Sequence, residues 1–243
     1  MTETLYNGYR RLDFLFEGHE AILVCPKVAR EDRRYLMKTE YFSAFQELEM
    51  EMLARGYHLA YIKNDSRWAQ DDDSHRRARF ADHLTREFGL HERMIPIGMS
   101  CGGFHAVSFA ALYPDKVSLL YLDAPLLSFL SYPYGMGRGE VSPDVIVEIE
   151  RAYGFDLAHA LAYNGQPIHR LPLVVRAGIP VALVYGDADT VVMPEENAHL
   201  IIEQYEEAKL PLYVLCKKGC DHHPHGPLDR MEEVIEFIES NML

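Results

Sequence analysis

Short apolar runs alternate with amphipathic stretches along most of the chain. Residues 10–16 and 21–25 read as strands, the first ending at the Gly18 turn and the second (AILVC) closed by Pro26. The polar stretch KVAREDRRYLMK that follows reads as loop. Phe42, Phe45, Leu48, Met52 and Leu53 recur at helical spacing, with Gly56 where a C-cap falls. Residues 57–62 are strand-like. Asp71–Asp73 then open a helix carrying Ala81, Leu84 and Phe88 on one side, with Gly89 after it. Residues 94–97 form a buried-type strand, 103–112 a helix before Pro114, and 117–122 another apolar strand.

The rhythm breaks between Asp123 and about Ile179, where Pro125, Pro133, Pro143, Pro167 and Pro172 interrupt it. This stretch reads as a cap or lid insertion, about 124–179, containing short helices such as 144–153. The rhythm returns with a strand over 180–185, a helix over 195–208, a strand over 212–216 and a helix over 228–238. In the last of these, Met231, Val234, Ile235 and Ile238 share a face. Strands alternating with helices predict βαβ units, a mostly parallel sheet and helices on both of its faces, hence the α/β class. At 243 residues with no shift in composition, the chain is expected to be one domain, 1–243.

Composition narrows the partners. The net charge of −13 disfavours nucleic acid, whose phosphates would be repelled. No apolar run approaches the ~20 residues of a membrane span, and the N-terminal residues lack a signal-peptide core. The four sparse cysteines, Cys25, Cys101, Cys216 and Cys220, show no disulfide framework, so a cytoplasmic setting is expected.

The chemistry concentrates at Gly98-Met99-Ser100-Cys101-Gly102, a G-x-S-x-G that follows a strand (MIPI) and opens a helix (GFHAVSFAAL). That is the setting of a nucleophile elbow, in which small residues on either side of the serine let two backbones approach and push the hydroxyl outward. The bland alternative is a glycine-rich turn with a capping serine. With this motif the sequence resembles the α/β-hydrolase family over nearly its whole length. The resemblance implies a triad in the order Ser, acid, His. Asp189, in YGDADTVV after the strand VALVY, matches the family's acid turn; Asp187 is the turn-forming rival, and Asp123 in YLDAP is a second alternative. After the last strand, GCDHHPHG offers His222, His223 and His225. The family's G-x-x-H turn selects His222 as base, with His223 its rival and His225 third.

A serine hydroxyl is a weak nucleophile until a neutral imidazole takes its proton, and a buried carboxylate fixes that imidazole's tautomer. The backbone N–H of Cys101 is expected to be one oxyanion donor. The family alignment puts the second at Lys27, after AILVC, with Val28 as the alternative, although Cys25-Pro26 stands there instead of His-Gly. A cysteine nucleophile is disfavoured because Ser100 holds the elbow. In the cap, Tyr132 and Tyr134 are candidates to contact substrate. The phrases GMSCGG, YGDADTVV and DHHPHG together resemble a subgroup of small bacterial hydrolases associated with carbohydrate esters, in which Arg commonly follows the serine; here that residue is Cys101.

These readings predict a serine hydrolase cleaving a small-molecule carboxylic ester through an acyl-enzyme, without cofactor or metal. Amide or peptide cleavage and acyl transfer are alternatives on the same triad, and self-association stays open. A binding protein on an inactive scaffold and a metal site on the histidines are the competing classes; H-H-x-H lacks the helical i, i+4 pair of zinc sites.

Overall fold

A computed structural model describes all residues, 1–243. Nine strands form one sheet: β1 (Thr2–Tyr6), β2 (Tyr9–Phe16), β3 (His19–Cys25), β4 (Tyr35–Lys38), β5 (His58–Ile62), β6 (Ile95–Met99), β7 (Leu120–Asp123), β8 (Val181–Gly186) and β9 (Leu212–Lys217). Eight α-helices cover it: α1 (Glu47–Ala54), α2 (Asp71–Phe88), α3 (Cys101–Leu112), α4 (Pro143–Tyr153), α5 (Leu157–Ala162), α6 (Pro167–Arg176), α7 (Ala198–Ala208) and α8 (Met231–Asn241). The strand order is β1-β2-β3-β5-β4-β6-β7-β8-β9. From β5 to β9 every pair is parallel, whereas β1, β2 and β3 add on antiparallel at one edge.

The apolar runs are explained by burial on both faces. In β8, Val181, Leu183 and Tyr185 join the core beneath α2, α3, α6 and α7, while Ala182 and Val184 join the core beneath α1 and α8. Helix α3 is apolar on nearly every side because it lies inside, with Phe104, Ala106, Val107, Phe109 and Ala110 inaccessible. A third, smaller core holds the cap, where Phe129, Leu126 and Ile149 pack with Trp68 and Phe104 of the body. No helix is long and apolar enough to cross a membrane.

Several expectations need correction. KVAREDRRYLMK is not all loop: its last four residues are β4, in the middle of the sheet. The N-terminal residues form β1, which pattern reading passed over. The helix expected from Phe42 begins at Glu47, and Phe42 and Phe45 lie in the turns before it. Within the stretch 124–179, α6 packs on α3 and α7 with Leu171 and Val174 in the main core. It is therefore the crossover helix between β7 and β8, and the cap proper ends before Pro167.

Close approach of α3 to the sheet depends on glycine. A Cβ on Gly103 would stand 2.4 Å from Pro125 Cβ, and one on Gly98 would stand 2.7 Å from Ala106 Cβ. Gly103→Ala is predicted to destabilise the protein by about 1–3 kcal/mol, the usual range for forcing an atom into a filled site. Urea unfolding checks this; an unchanged midpoint would refute the claimed contact.

Candidate active site

The parallel strands bring their carboxyl ends to one edge of the sheet, where ligands of open α/β folds bind. Ser100 follows β6 and precedes α3, with φ 53° and ψ −121°. Three backbone bonds hold this turn: Ser100 N–H donates to Asp123 O at 3.0 Å, and Ser100 O accepts from Gly103 N–H at 2.8 Å and Leu126 N–H at 3.1 Å. The hydroxyl is thereby presented to a cavity of about 320 Å³.

Asp189 follows β8 and His222 follows β9. His222 Nδ1 lies 2.7 Å from Asp189 Oδ2, and His222 Nε2 lies 3.0 Å from Ser100 Oγ. A carboxylate only accepts, so Nδ1 carries the proton and Nε2 is left as acceptor for the serine O–H. The other oxygen of Asp189 accepts from the N–H groups of Val191 and Val192 at 2.9 and 2.8 Å. Asp189 is 2% exposed, so its carboxylate makes these bonds away from competing water.

The rival residues have other partners. Asp187 Oδ1 accepts from Gly219 N–H at 2.6 Å and ties the acid loop to the base loop. His223 stacks on Phe45, centroids 5.5 Å apart, and burial followed by the neighbouring His225 and His222 lowers its pKa. Asp123 faces His225 Nδ1 at 3.1 Å, accepts from Gly226 N–H, and has Lys217 Nζ at 3.6 Å. Burial alone would raise the pKa of Asp123. The His225 hydrogen bond and charge, Lys217 and Gly226 N–H outweigh it and leave the pKa below the ordinary value. This second His–Asp pair anchors the far side of the loop carrying His222. Pattern reading saw both residues without pairing them; their equal burial was the missing signal.

Cys101 leads α3, whose first N–H groups lack intrahelical acceptors. Burial pushes its thiol pKa up, so it stays protonated. Lys27 is the correction here. β3 runs antiparallel to β5, so its carboxyl end, with Lys27 and Val28 beyond it, lies at the opposite edge of the sheet from Ser100. Both are exposed and neither lines the cavity. The strand beside β6 is β4, and the loop after it, Thr39-Glu40-Tyr41, adjoins the elbow. Thr39 Oγ1 lies 2.7 Å from Gly102 O and 2.9 Å from Ile97 O, and Asn64 Nδ2 donates to Thr39 O at 2.6 Å. Tyr41 lines the cavity with φ 54°, and its N–H, whose partner here is Glu40 Oε1 at 3.4 Å, is the candidate second donor in place of Lys27. Of the cap tyrosines, Tyr132 lines the cavity, whereas Tyr134 is 9% exposed against Phe129 and is not part of the wall. No three His, Cys, Asp or Glu side chains are grouped to hold a metal ion.

No protein-family model and no curated protein matches the chain. Solved structures do. A Bacteroides ovatus protein described as a dipeptidyl aminopeptidase IV superposes on 96% of the chain with a TM-score of 0.71 at 13% identity. A Mycobacterium tuberculosis puromycin-hydrolyzing peptidase superposes on 96% with a TM-score of 0.74 at 15% identity. The chain spans 36% and 39% of those two structures. Likeness at such identity establishes architecture: the chain has the α/β-hydrolase fold.

Removing the Asp123 charge is predicted to destabilise the protein. Asp123→Asn leaves His225 and Lys217 facing a neutral group, and breaking a buried pair costs about 3–5 kcal/mol. The native pKa is depressed, so this stabilisation is full above the unfolded pKa of ~3.9 and fades as pH falls through the lower native value. Urea unfolding of both proteins at pH 7 and near pH 3 should show a gap that narrows with acid. A gap independent of pH would contradict the assignment.

Proposed function

We propose that the protein is a serine hydrolase acting on carboxylic acyl compounds through an acyl-enzyme on Ser100. The observation that carries this reading is the continuous relay from Asp189 to His222 to Ser100, ending on a strained elbow that faces a cavity. His222 Nε2 takes the hydroxyl proton as Oγ attacks the carbonyl carbon, and Asp189 stabilises the imidazolium. The N–H groups of Cys101 and Tyr41 receive the oxyanion. The imidazolium then passes its proton to the leaving group, and water, activated by the same imidazole, releases the acid.

Between the two bonds, the amide is better supported, because both similar structures carry peptidase names. The ester reading rests on the sequence resemblance. The cavity, at the small end of the ~300–1,000 Å³ range of ligand sites, favours a short acyl group. The four cysteines, all unpaired, support a reducing, cytoplasmic setting.

Ser100→Ala is expected to abolish labelling by a fluorophosphonate probe, and undiminished labelling would defeat the proposal. Asp189→Asn should lower kcat by roughly 10³–10⁴-fold, since the imidazole loses its tautomer control. Matched p-nitrophenyl esters and aminoacyl amides decide the bond: turnover of esters alone returns the assignment to an esterase.

A further inference from the structure

We propose that the acyl group carries a carboxylate, received by Arg67; this rests on the hydrolase reading above. The acyl half stays bound to Ser100 through both half-reactions, so it is the part of a substrate that this cavity must fit. The wall contains one guanidinium, Arg67, no ammonium and no carboxylate, in a chain of net charge −13. A substrate ammonium would therefore find no counter-charge there, and a carboxylate would.

Arg67 is also held in place. It lies in the loop between β5 and α2, which is fastened at Ser66 and at Trp68. His105, inside α3, donates from Nε2–H to Ser66 O at 3.0 Å, the shorter of the two backbone contacts of that nitrogen. The Tyr153 hydroxyl, from the cap, donates to Trp68 O at 2.5 Å. The guanidinium sits 5.2 Å from the Trp68 ring centre, and its Nε and Nη2 both reach Glu148 on α4 at 2.8 Å. Glu148 thus occupies Nε by a hydrogen bond and Nη2 by ion-pair contact, and Tyr41 and Cys101, both cavity residues, are the other polar neighbours. Arg67 remains about a third exposed, so an incoming carboxylate can reach it. A preorganised planar guanidinium pairs with a carboxylate at little entropic cost.

Glu148 competes with the substrate for Arg67, and this makes the test directional. Three activated esters of near-equal size serve: the mono-p-nitrophenyl ester of adipic acid, and the p-nitrophenyl esters of 6-hydroxyhexanoic and hexanoic acids. Activated esters acylate esterases and serine peptidases alike, so bond preference does not enter. The native protein is expected to favour the adipate ester by about ten- to hundredfold in kcat/KM, the range of one charge-assisted hydrogen-bonded contact. Arg67→Met should erase that preference, mainly through KM. Glu148→Gln should enlarge it by freeing the guanidinium. A pair serving only to join cap and body would shift both variants the same way. Equal rates on all three esters, a hydroxyl ester matching the adipate ester, or a preference surviving in Arg67→Met would each overturn the proposal. If no ester turns over, slowing of fluorophosphonate labelling by adipate but not by hexanamide supports it, and equal effects of the two refute it. Ester hydrolysis persisting in Ser100→Ala would instead remove the hydrolase reading beneath it.

Discussion

The site depends on one backbone constraint, the turn at Ser100. A non-glycine residue at φ 53° and ψ −121° costs of order 1–3 kcal/mol and persists only where its surroundings over-determine it. Here they do. Both backbone groups of Ser100 are bonded, to the end of β7 and to the segments just after, and the missing side chains of Gly98 and Gly103 let α3 settle against β6 and Pro125. The same turn fixes three things at once: the direction of the hydroxyl, the position of the Cys101 N–H, and the placement of the positive end of α3 beside the serine.

The other loops are tied together by polar groups, in addition to the apolar packing of Val192 with Cys101 and Leu126. Ala188 N–H donates to Cys220 O at 2.9 Å, and Asp221 Oδ1 accepts from Thr190 and His222 N–H at 3.1 and 2.7 Å, so acid and base loops move as one. Below them, Lys38 pairs with Glu49, both nearly inaccessible, and Lys38 Nζ also donates to Ala44 O at 3.1 Å just ahead of Phe45. Arg77 lies wholly buried with its Nη2 on Asn64 Oδ1 at 2.5 Å, and burial brings its pKa down to about 10. Buried ion pairs seldom add net stability, because desolvation offsets the attraction. Their placement under three site loops fits a geometric role: each directional bond excludes the small loop shifts that would break a 3.0 Å relay.

What the sequence disclosed follows from which interactions are local. Strands buried on both faces betray themselves as apolar runs, and the elbow is a local motif, so β6, β8 and Ser100 were legible. β4 was not, because it has only four residues and ends in Lys38, whose charge is cancelled by Glu49, a residue eleven positions away. Strand direction is not written in composition: AILVC reads the same whether parallel or antiparallel, and this misplaced the oxyanion donor at Lys27. Phe45 kept helical spacing with Leu48 and Met52, yet its φ of 48° lays its ring over His223 and His225. His222 was separable from His223 by its position after Gly219, but the pairing of His225 with Asp123, 102 residues apart, required the fold.

Two halves of the site are therefore built to different standards. The half that holds the relay belongs to the body, where Ser100, Asp189 and His222, and beside them Asp123 and His225, have fixed partners and the sheet sets the spacing. The other half lies where cap meets body, through a few contacts: Arg67 with Glu148, the Tyr153 hydroxyl, and Tyr132 on the wall. These are partly exposed, and exposed ion pairs hold little energy each. Substitutions in α4 can therefore alter what enters the cavity without disturbing the relay, whereas substitutions at the elbow must disturb both. The Arg67–Glu148 ion pair is one of the few links between the two halves, and its arginine lines the cavity that Ser100 faces.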